Sequence, residues 1–412
     1  MWKRNVAVCA AALALVGARG WGEGQSVTWI GSWGSAQQVP EAENALAPED
    51  LRDATLRQVV HLSAGGQTLR VHVSNAFGPA PLHLTSVHVA HPISNASAAI
   101  DPATDKALAF AREPDVVIPA GAEYVSDPLE YPLAAGSDLT ISIHFDEPPA
   151  QQTGHPGSRA TSYVAHGDLV SAADLPNARK VEHWYQLSGV DVAAAAGAFS
   201  IVALGDSITD GHGSTANGND RWPDVLARRL QSAGMRNAGV VNEGIGGNHL
   251  LTDGLGPNAL ARLDRDVLAQ AGVREVIVLE GVNDLGGLAR TKPASAAEHA
   301  ALVEHILAAY EQIVVRAHAE KLRVLGGTIL PYEGSDYYHP DAASERDRQA
   351  VNAWIRAPGH FDAVIDFDKV MRDPAHPERL RPAFDCGDHL HPSPGGYAAM
   401  ANAISLAALR SP

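Results

Sequence analysis

The stretch Phe199-Ser200-Ile201-Val202-Ala203-Leu204-Gly205-Asp206-Ser207-Ile208-Thr209-Asp210-Gly211 runs from an apolar segment into a turn that sets one serine between two glycines. A short apolar run ending at glycine reads as a buried strand. A serine at its carboxyl end stands where open α/β sheets collect ligands and chemistry. Ser207 is therefore a candidate nucleophile. A Gly-Asp-Ser turn without chemistry is the competing reading of the same residues, and the rest of the chain decides between them.

Downstream of this stretch, strand candidates at 200–204, 240–242, 275–280, 322–328 and 363–367 alternate with helix candidates at 222–233, 258–271, 294–319, 342–356 and 394–408. Strands alternating with helices of that length predict parallel strands joined by right-handed crossovers. The expected unit over 199–412 is a three-layer α/β/α domain around a five-stranded parallel sheet. Upstream the rhythm differs. Thr68-Leu69-Arg70-Val71-His72-Val73-Ser74 and Asp138-Leu139-Thr140-Ile141-Ser142-Ile143-His144-Phe145 alternate apolar and polar residues, with Pro, Gly, Asn and Asp filling the gaps. This predicts an antiparallel β-sandwich over 26–192, bounded by the alanine-rich 193–198. His72, His83, His88 and His144 read as outward strand positions, and Trp222 as a packing residue at a helix start.

With 412 residues, 45% hydrophobic and 19% charged, the chain is globular and long enough for two domains. Its formal charge of −16 at pH 7 repels phosphate backbones and anionic headgroups, so neither nucleic acid nor a membrane surface is an expected partner. Lys3 and Arg4, an apolar run over 6–16 and the small residues Ala18 and Gly20 follow the order of a secretory signal peptide at 1–20. That run is too short for a permanent membrane anchor, and the expected location is secreted or periplasmic. Because Cys9 falls inside the leader, Cys386 has no intramolecular disulfide partner. No helix start or cation beside it in the sequence marks it as a nucleophile.

Loops that follow parallel strands gather at one sheet edge. Beyond the second and third strand candidates stand Asn242-Glu243-Gly244-Ile245-Gly246-Gly247-Asn248 and Gly281-Val282-Asn283-Asp284. Ester cleavage by a serine puts negative charge on the former carbonyl oxygen, which fixed donors must meet. The backbone N–H groups of Ser207 and Gly247 and the side-chain amide of Asn283 would supply three. Read singly, Gly246-Gly247 is a loop and Asn283 a turn residue. A base is also required. In Asp388-His389-Leu390-His391-Pro392, Asp388 lies three residues before His391 and could orient it as general base. His389 reads as solvent-facing or structural. The same residues resemble metal ligands, yet no second His or Cys cluster with ligand spacing accompanies them, and no metal or cofactor is expected. After the fourth strand, Tyr332, Tyr337 and Tyr338 could stack on sugar faces or pack their loop onto its own domain.

In order, the blocks 205–211, 242–248, 281–284 and 388–391 resemble those of the SGNH or GDSL hydrolases, a likeness spanning 199 to the C-terminus. It implies Ser207 as nucleophile, Gly247 and Asn283 as oxyanion donors, His391 as base and Asp388 as its partner, with Asp206 outside the triad. Residues 29–37 and 74–78 resemble, more loosely, the N-terminal β domain of the xylanase-cluster-esterase-like subgroup. That likeness implies an acylated carbohydrate substrate and acetyl groups on plant polysaccharide. The expected function is a secreted serine esterase. A short-chain lipase or aryl esterase acting on another small ester is the alternative. A glycan-binding protein with an inactive hydrolase domain is a third reading, opposed by the intact Ser207, Asn283, Asp388 and His391. Acyl length, alcohol and oligomeric state are not encoded in these motifs.

Overall fold

The computed structural model describes residues 28–409, so the leader expected at 1–20 lies outside the described residues. Besides two strand pairs, Leu82–Leu84 with Val116–Ile118 and Gly154–His155 with Trp184–Tyr185, the N-terminal region is built from two larger antiparallel sheets. In one, Leu187–Ala194 pairs with Thr28–Gly34 and with Gly66–Ser74, and Gly66–Ser74 also takes Glu123–Val125 and Leu129–Leu133. In the other, Ala54–His61 and Asp138–Phe145 are central. Leu69, Val71 and Val73 are buried while Arg70 and His72 between them are not, as alternation predicts. These residues share one core with Leu56, Val60, Leu139, Ile141 and Ile143 of the second sheet.

Asp138–Phe145 departs from the expected pattern, since both its faces are covered. The cause is Arg57 on the neighbouring strand. Its fully buried guanidinium donates to Ser142 Oγ and to the carbonyls of Ala98, Leu169, Val170 and Ala172, which pins two loops over the sheet. His144 is bonded to Thr85 and lies near Asp53, so its expected outward position is corrected to a buried one. His83 and His88 remain partly exposed, each beside an aspartate.

After a turn closed by the Ala198 N–H on the Ala195 carbonyl, Phe199–Gly205 begins the expected parallel sheet. Its spatial order is Ala238–Gly244, Phe199–Gly205, Val273–Leu279, Arg323–Gly327 and Ala363–Ile365, all parallel. The first strand in the chain thus lies between the second and third, and the crevice at this reversal falls beyond its carboxyl end. The helices are α1 (Ser207–Asp210), α2 (Trp222–Ser232), α3 (Ala259–Leu263), α4 (Val282–Leu288), α5 (Ala296–Ala319), α6 (Ala342–Arg356), α7 (Phe367–Met371) and α8 (Pro394–Ala403). α1 packs on the first two strands of this sheet, and the other seven form two groups, α2 with α7 and α8, and α3 to α6.

Local chemistry explains several boundaries. α2 buries Trp222, Leu226 and Leu230, four residues apart on one face. α5 opens on a reciprocal Ser295–Glu298 capping box, and α6 on Asp341, whose carboxylate accepts the Ala343 and Ser344 N–H groups. The helix expected over 258–271 is instead α3 followed by a π turn, Asp264–Leu268. The one expected to reach 408 ends at Ala403.

The two regions meet along the strand Ala238–Gly244. Gly31 donates its N–H to Ser200 Oγ at 2.8 Å, and Val240 N–H donates to Ser63 Oγ at 2.8 Å. A Cβ on Gly34 would lie 2.2 Å from Val241, so only glycine admits this approach. Among the described residues no helix is long and apolar enough to cross a membrane.

Candidate active site

Ser207 is positioned by the way its strand stops. Gly205 is crowded by Thr209 and by the Leu279 carbonyl, which a Cβ would meet at 2.1 and 2.7 Å. Asp206 then caps α1 by accepting the Ile208 N–H at 2.8 Å. Ser207 is the first helical residue, so its N–H has no intrahelical acceptor and faces the crevice with the positive end of the turn. Its Oγ lies 2.8 Å from His391 Nε2, and His391 Nδ1 lies 2.6 Å from Asp388 Oδ2. The carboxylate accepts the Nδ1 proton, which leaves Nε2 as the acceptor of the serine hydroxyl.

Asp388 is held by its own turn. Its Oδ1 accepts the N–H groups of Leu390 and His391 at 3.0 and 2.8 Å. Against the partial burial that would raise it, the bonds from the His391 side chain and backbone hold this carboxyl well below the usual carboxylate range. His389 points away, with φ of 61° and Nδ1 at 2.6 Å from Asp385. Burial and the nearby Asp388 push the Cys386 thiol up to about 11, leaving little thiolate at neutral pH.

The loops after the second and third strands bring Gly247 and Asn283 to the same edge. Gly247 has φ of +65°, which suits glycine. Asn283, 2% exposed, donates one amide hydrogen to the Asn248 carbonyl at 2.6 Å and keeps a second. Its Oδ1 accepts the Tyr338 hydroxyl at 2.5 Å, and burial raises that phenol so that it stays a donor. Asp284 steadies the facing loop by accepting the Leu250 and Leu251 N–H groups. Beneath them Arg262, fully buried, donates to the carbonyls of Gly205 and Glu243 and to Asn248 Oδ1, tying the ends of the first two strands together.

Of the three tyrosines, Tyr332 is 1% exposed and Tyr338 serves Asn283, so neither offers a face to a sugar. Tyr337 is exposed, but the Arg290 guanidinium stands 3.8 Å over its ring. Tyr332 and Tyr338 are thus engaged in packing, while Tyr337 keeps an exposed ring beside Arg290. Residues that the sequence motifs left aside also converge here. His212 stacks on His391 with centroids 4.0 Å apart, and Arg159 lies 3.2 Å from His212 Nδ1. The last residue of α1, Asp210, is bonded to His155 at 2.9 Å. His212 directly follows the first motif and was within reach of sequence reasoning. Arg159 and His155 carried no signal.

His212, Asp388 and His391 bring ligand-type atoms within 4.8 Å of one another. Their donors and acceptors are engaged with Arg159, Ser207 and one another, which opposes a metal. Burial pushes Asp206 up to about 7, with Asp284 and Asp210 adding to the shift, while the Ile208 N–H and Arg262 oppose it. Asp206 thus acts as a cap.

Residues 203–399 match the GDSL-like Lipase/Acylhydrolase family. No curated protein matches the chain. Among solved structures it is similar to the lipase/acylhydrolase from Enterococcus faecalis, at 24% identity over 50% of this chain and 92% of that one, with a TM-score of 0.37. It is similar to an acetylxylan esterase from Geobacillus stearothermophilus, at 22% over 50% and 91%, TM-score 0.38. It is also similar to a GDSL-like lipase from Bacteroides thetaiotaomicron, at 20% over 51% and 88%, TM-score 0.38. The parallel-sheet region thus carries, over residues 203–399, a GDSL-like lipase/acylhydrolase family domain, which implies an ester hydrolase.

Proposed function

We propose that this protein is a secreted serine esterase that removes acetyl groups from plant polysaccharide or oligosaccharide. The observation that carries the catalytic part is the unbroken chain Ser207 Oγ, His391 Nε2, His391 Nδ1, Asp388 Oδ2, with steps of 2.8 and 2.6 Å. His391 takes the hydroxyl proton as Ser207 attacks the ester carbonyl, and Asp388 stabilises the imidazolium that results. The tetrahedral oxyanion is met by the N–H groups of Ser207 and Gly247 and the free amide hydrogen of Asn283. His391 returns its proton to the leaving alcohol, and water repeats the sequence on the acetyl-enzyme. A water-borne polymer as substrate agrees with the leader pattern at 1–20 and the charge of −16.

The carbohydrate part rests on the resemblance of residues 29–37 and 74–78 to the xylanase-cluster-esterase-like subgroup. In this protein those segments serve the junction between the regions. Gln37 offers its carbonyl to Arg265 at 3.0 Å, and Phe77 lies under the Arg265 guanidinium at 5.2 Å. The antiparallel region thus joins the hydrolase region through these segments, and it reaches the site through Arg159. A hydrolysis panel of acetylated xylan, acetylated monosaccharides and aryl esters of increasing chain length tests the proposal. Fastest turnover on acetylated xylan supports it, and a rate rising with acyl length marks a short-chain lipase or aryl esterase instead.

A further inference from the structure

Arg159 belongs to the antiparallel region, yet its guanidinium stands in the hydrolase site. It lies on a turn with φ of 48° that Asn217 fastens to the loop beyond α1. Asn217 donates its N–H to the Arg159 carbonyl at 2.7 Å, and its Oδ1 accepts the Thr161 N–H at 2.8 Å. From there Arg159 Nη2 reaches to 3.2 Å from His212 Nδ1. A guanidinium can only donate, so Nδ1 accepts and the ring proton sits on Nε2. That Nε2 lies 3.7 Å from Asp388 Oδ2, and the ring packs on His391 with centroids 4.0 Å apart and planes tilted 38°.

The backbone of His212 is equally fixed. Its N–H donates to the Ser207 carbonyl at 2.9 Å, and its carbonyl accepts the Tyr397 hydroxyl at 2.5 Å. The charged and titratable groups facing it are His391, Arg159, Asp388 and Asp210. Partial burial, His391 and Arg159 lower its pKa to about 4, with Asp388 and Asp210 opposing. During turnover His391 becomes an imidazolium, and a cation stacked on it would resist that step.

We propose that Arg159 is a positioning residue for the hydrolase site, fixing His212 as a neutral, Nε2-protonated ring against His391. The imidazolium formed at His391 then meets a neutral face and an N–H turned toward Asp388 instead of a second positive charge. This inference rests on the triad reading of Ser207, His391 and Asp388.

The test is the pH profile of kcat for 4-nitrophenyl acetate in the wild type, Arg159→Met, Arg159→Lys, His212→Phe and the Arg159→Met/His212→Phe double variant. Arg159→Met leaves Nδ1 free to take a proton, so kcat falls about tenfold near pH 5.5, the loss shrinking to about threefold near pH 8.5. Arg159→Lys keeps a charged donor and restores part of the acid-side rate. In the His212→Phe background, Arg159→Met has no further effect, because no ring nitrogen is left to fix. An equal loss at every pH, or an undiminished effect of Arg159→Met beside His212→Phe, overturns the inference and makes Arg159 a substrate contact or a fold support. Should Arg159→Met not fold, the profile of Arg159→Lys against wild type decides on the same criterion. Failure of the triad reading is seen separately, as kcat retained in Ser207→Ala.

Discussion

In the parallel-sheet region Ser207, Gly247 and Asn283 each stand a few residues beyond the end of a strand, and the strand order alone brings them together. In the antiparallel region nothing comparable happens. His155, on the short strand Gly154–His155, and Arg159, on the turn that follows it, lie 55 and 53 residues from the partners they touch, and their positions depend on how the two regions dock. A parallel sheet delivers chemistry to its edge whatever its loops contain, whereas a docked loop acts only through the specific atoms that it meets. The first kind of contribution should therefore fail all at once when a residue is removed. The second should fail by degrees and show itself in pH dependence.

Ser207→Ala is the largest expected loss, with kcat for aryl acetates falling by on the order of 10⁶ while the thermal midpoint holds, because triad members act as a unit. Wild-type turnover in a folded Ser207→Ala protein would falsify the strand-end account of the site. Asp388→Asn should cost about 10⁴ in kcat, since the amide keeps the shape of the turn but neither fixes the His391 tautomer nor stabilises its cation. His389→Ala, measured beside it, should do little. Asn283→Ala should lower kcat by on the order of 10²–10³ with a smaller change in KM, because its donor is aimed at charge that develops in the transition state. Tyr338→Phe removes only the hydroxyl that orients the Asn283 amide, and about a tenfold loss in kcat is expected. If Tyr338→Phe and Asn283→Ala add in the double variant as independent changes, Tyr338 does not act through Asn283.

The same contrast accounts for what could be read in the chain. Five parallel strands, their order of occurrence and the placement of Ser207, Gly247, Asn283, Asp388 and His391 all follow from periods and motifs a few residues long. α6 matches its expected bounds of 342–356 because its cap and its apolar spacing are both local. The π turn at Asp264–Leu268 is not legible, since it accompanies the buried Arg262, whose partners Gly205, Glu243 and Asn248 come from the ends of two strands and the loop after the second. The burial of His144 is not legible because its ring is engaged by Thr85 and Asp53, 59 and 91 residues away, which no alternation can announce. The place of Tyr332 and Tyr338 after the fourth strand leaves stacking on a sugar and packing of their loop equally open, and it is the core and Asn283 that take them.

The smallest expected effect concerns the junction itself. His72 stands on the outer face of the antiparallel sheet, with Nδ1 at 2.9 Å from Glu123 and Nε2 at 2.8 Å from Asp191, in a cavity shared with Glu243, Arg265 and Gln270 of the hydrolase region. Against the burial that would lower it, the bonds to Asp191 and Glu123 raise His72 to about 9. A histidine ordinarily titrates near 6.5, so the folded state holds this proton more tightly than the unfolded chain does. The stability it contributes is present in full below about pH 6.5 and is lost as pH rises through the folded value of about 9. Asp191 and Glu123, held below their usual range, stay ionised throughout that window. The wild-type thermal midpoint should therefore fall between pH 6.5 and 9 by more than that of His72→Gln. The difference should be about 2 °C, corresponding to on the order of 1 kcal/mol. Activity at pH 7 should be the same in both proteins, because His72 braces the docking face and touches none of the reacting groups. Parallel slopes in the two proteins would place the pH sensitivity in the buried carboxyls Asp206, Glu243 and Glu280 instead. Burial raises all three, and they lie in the hydrolase region.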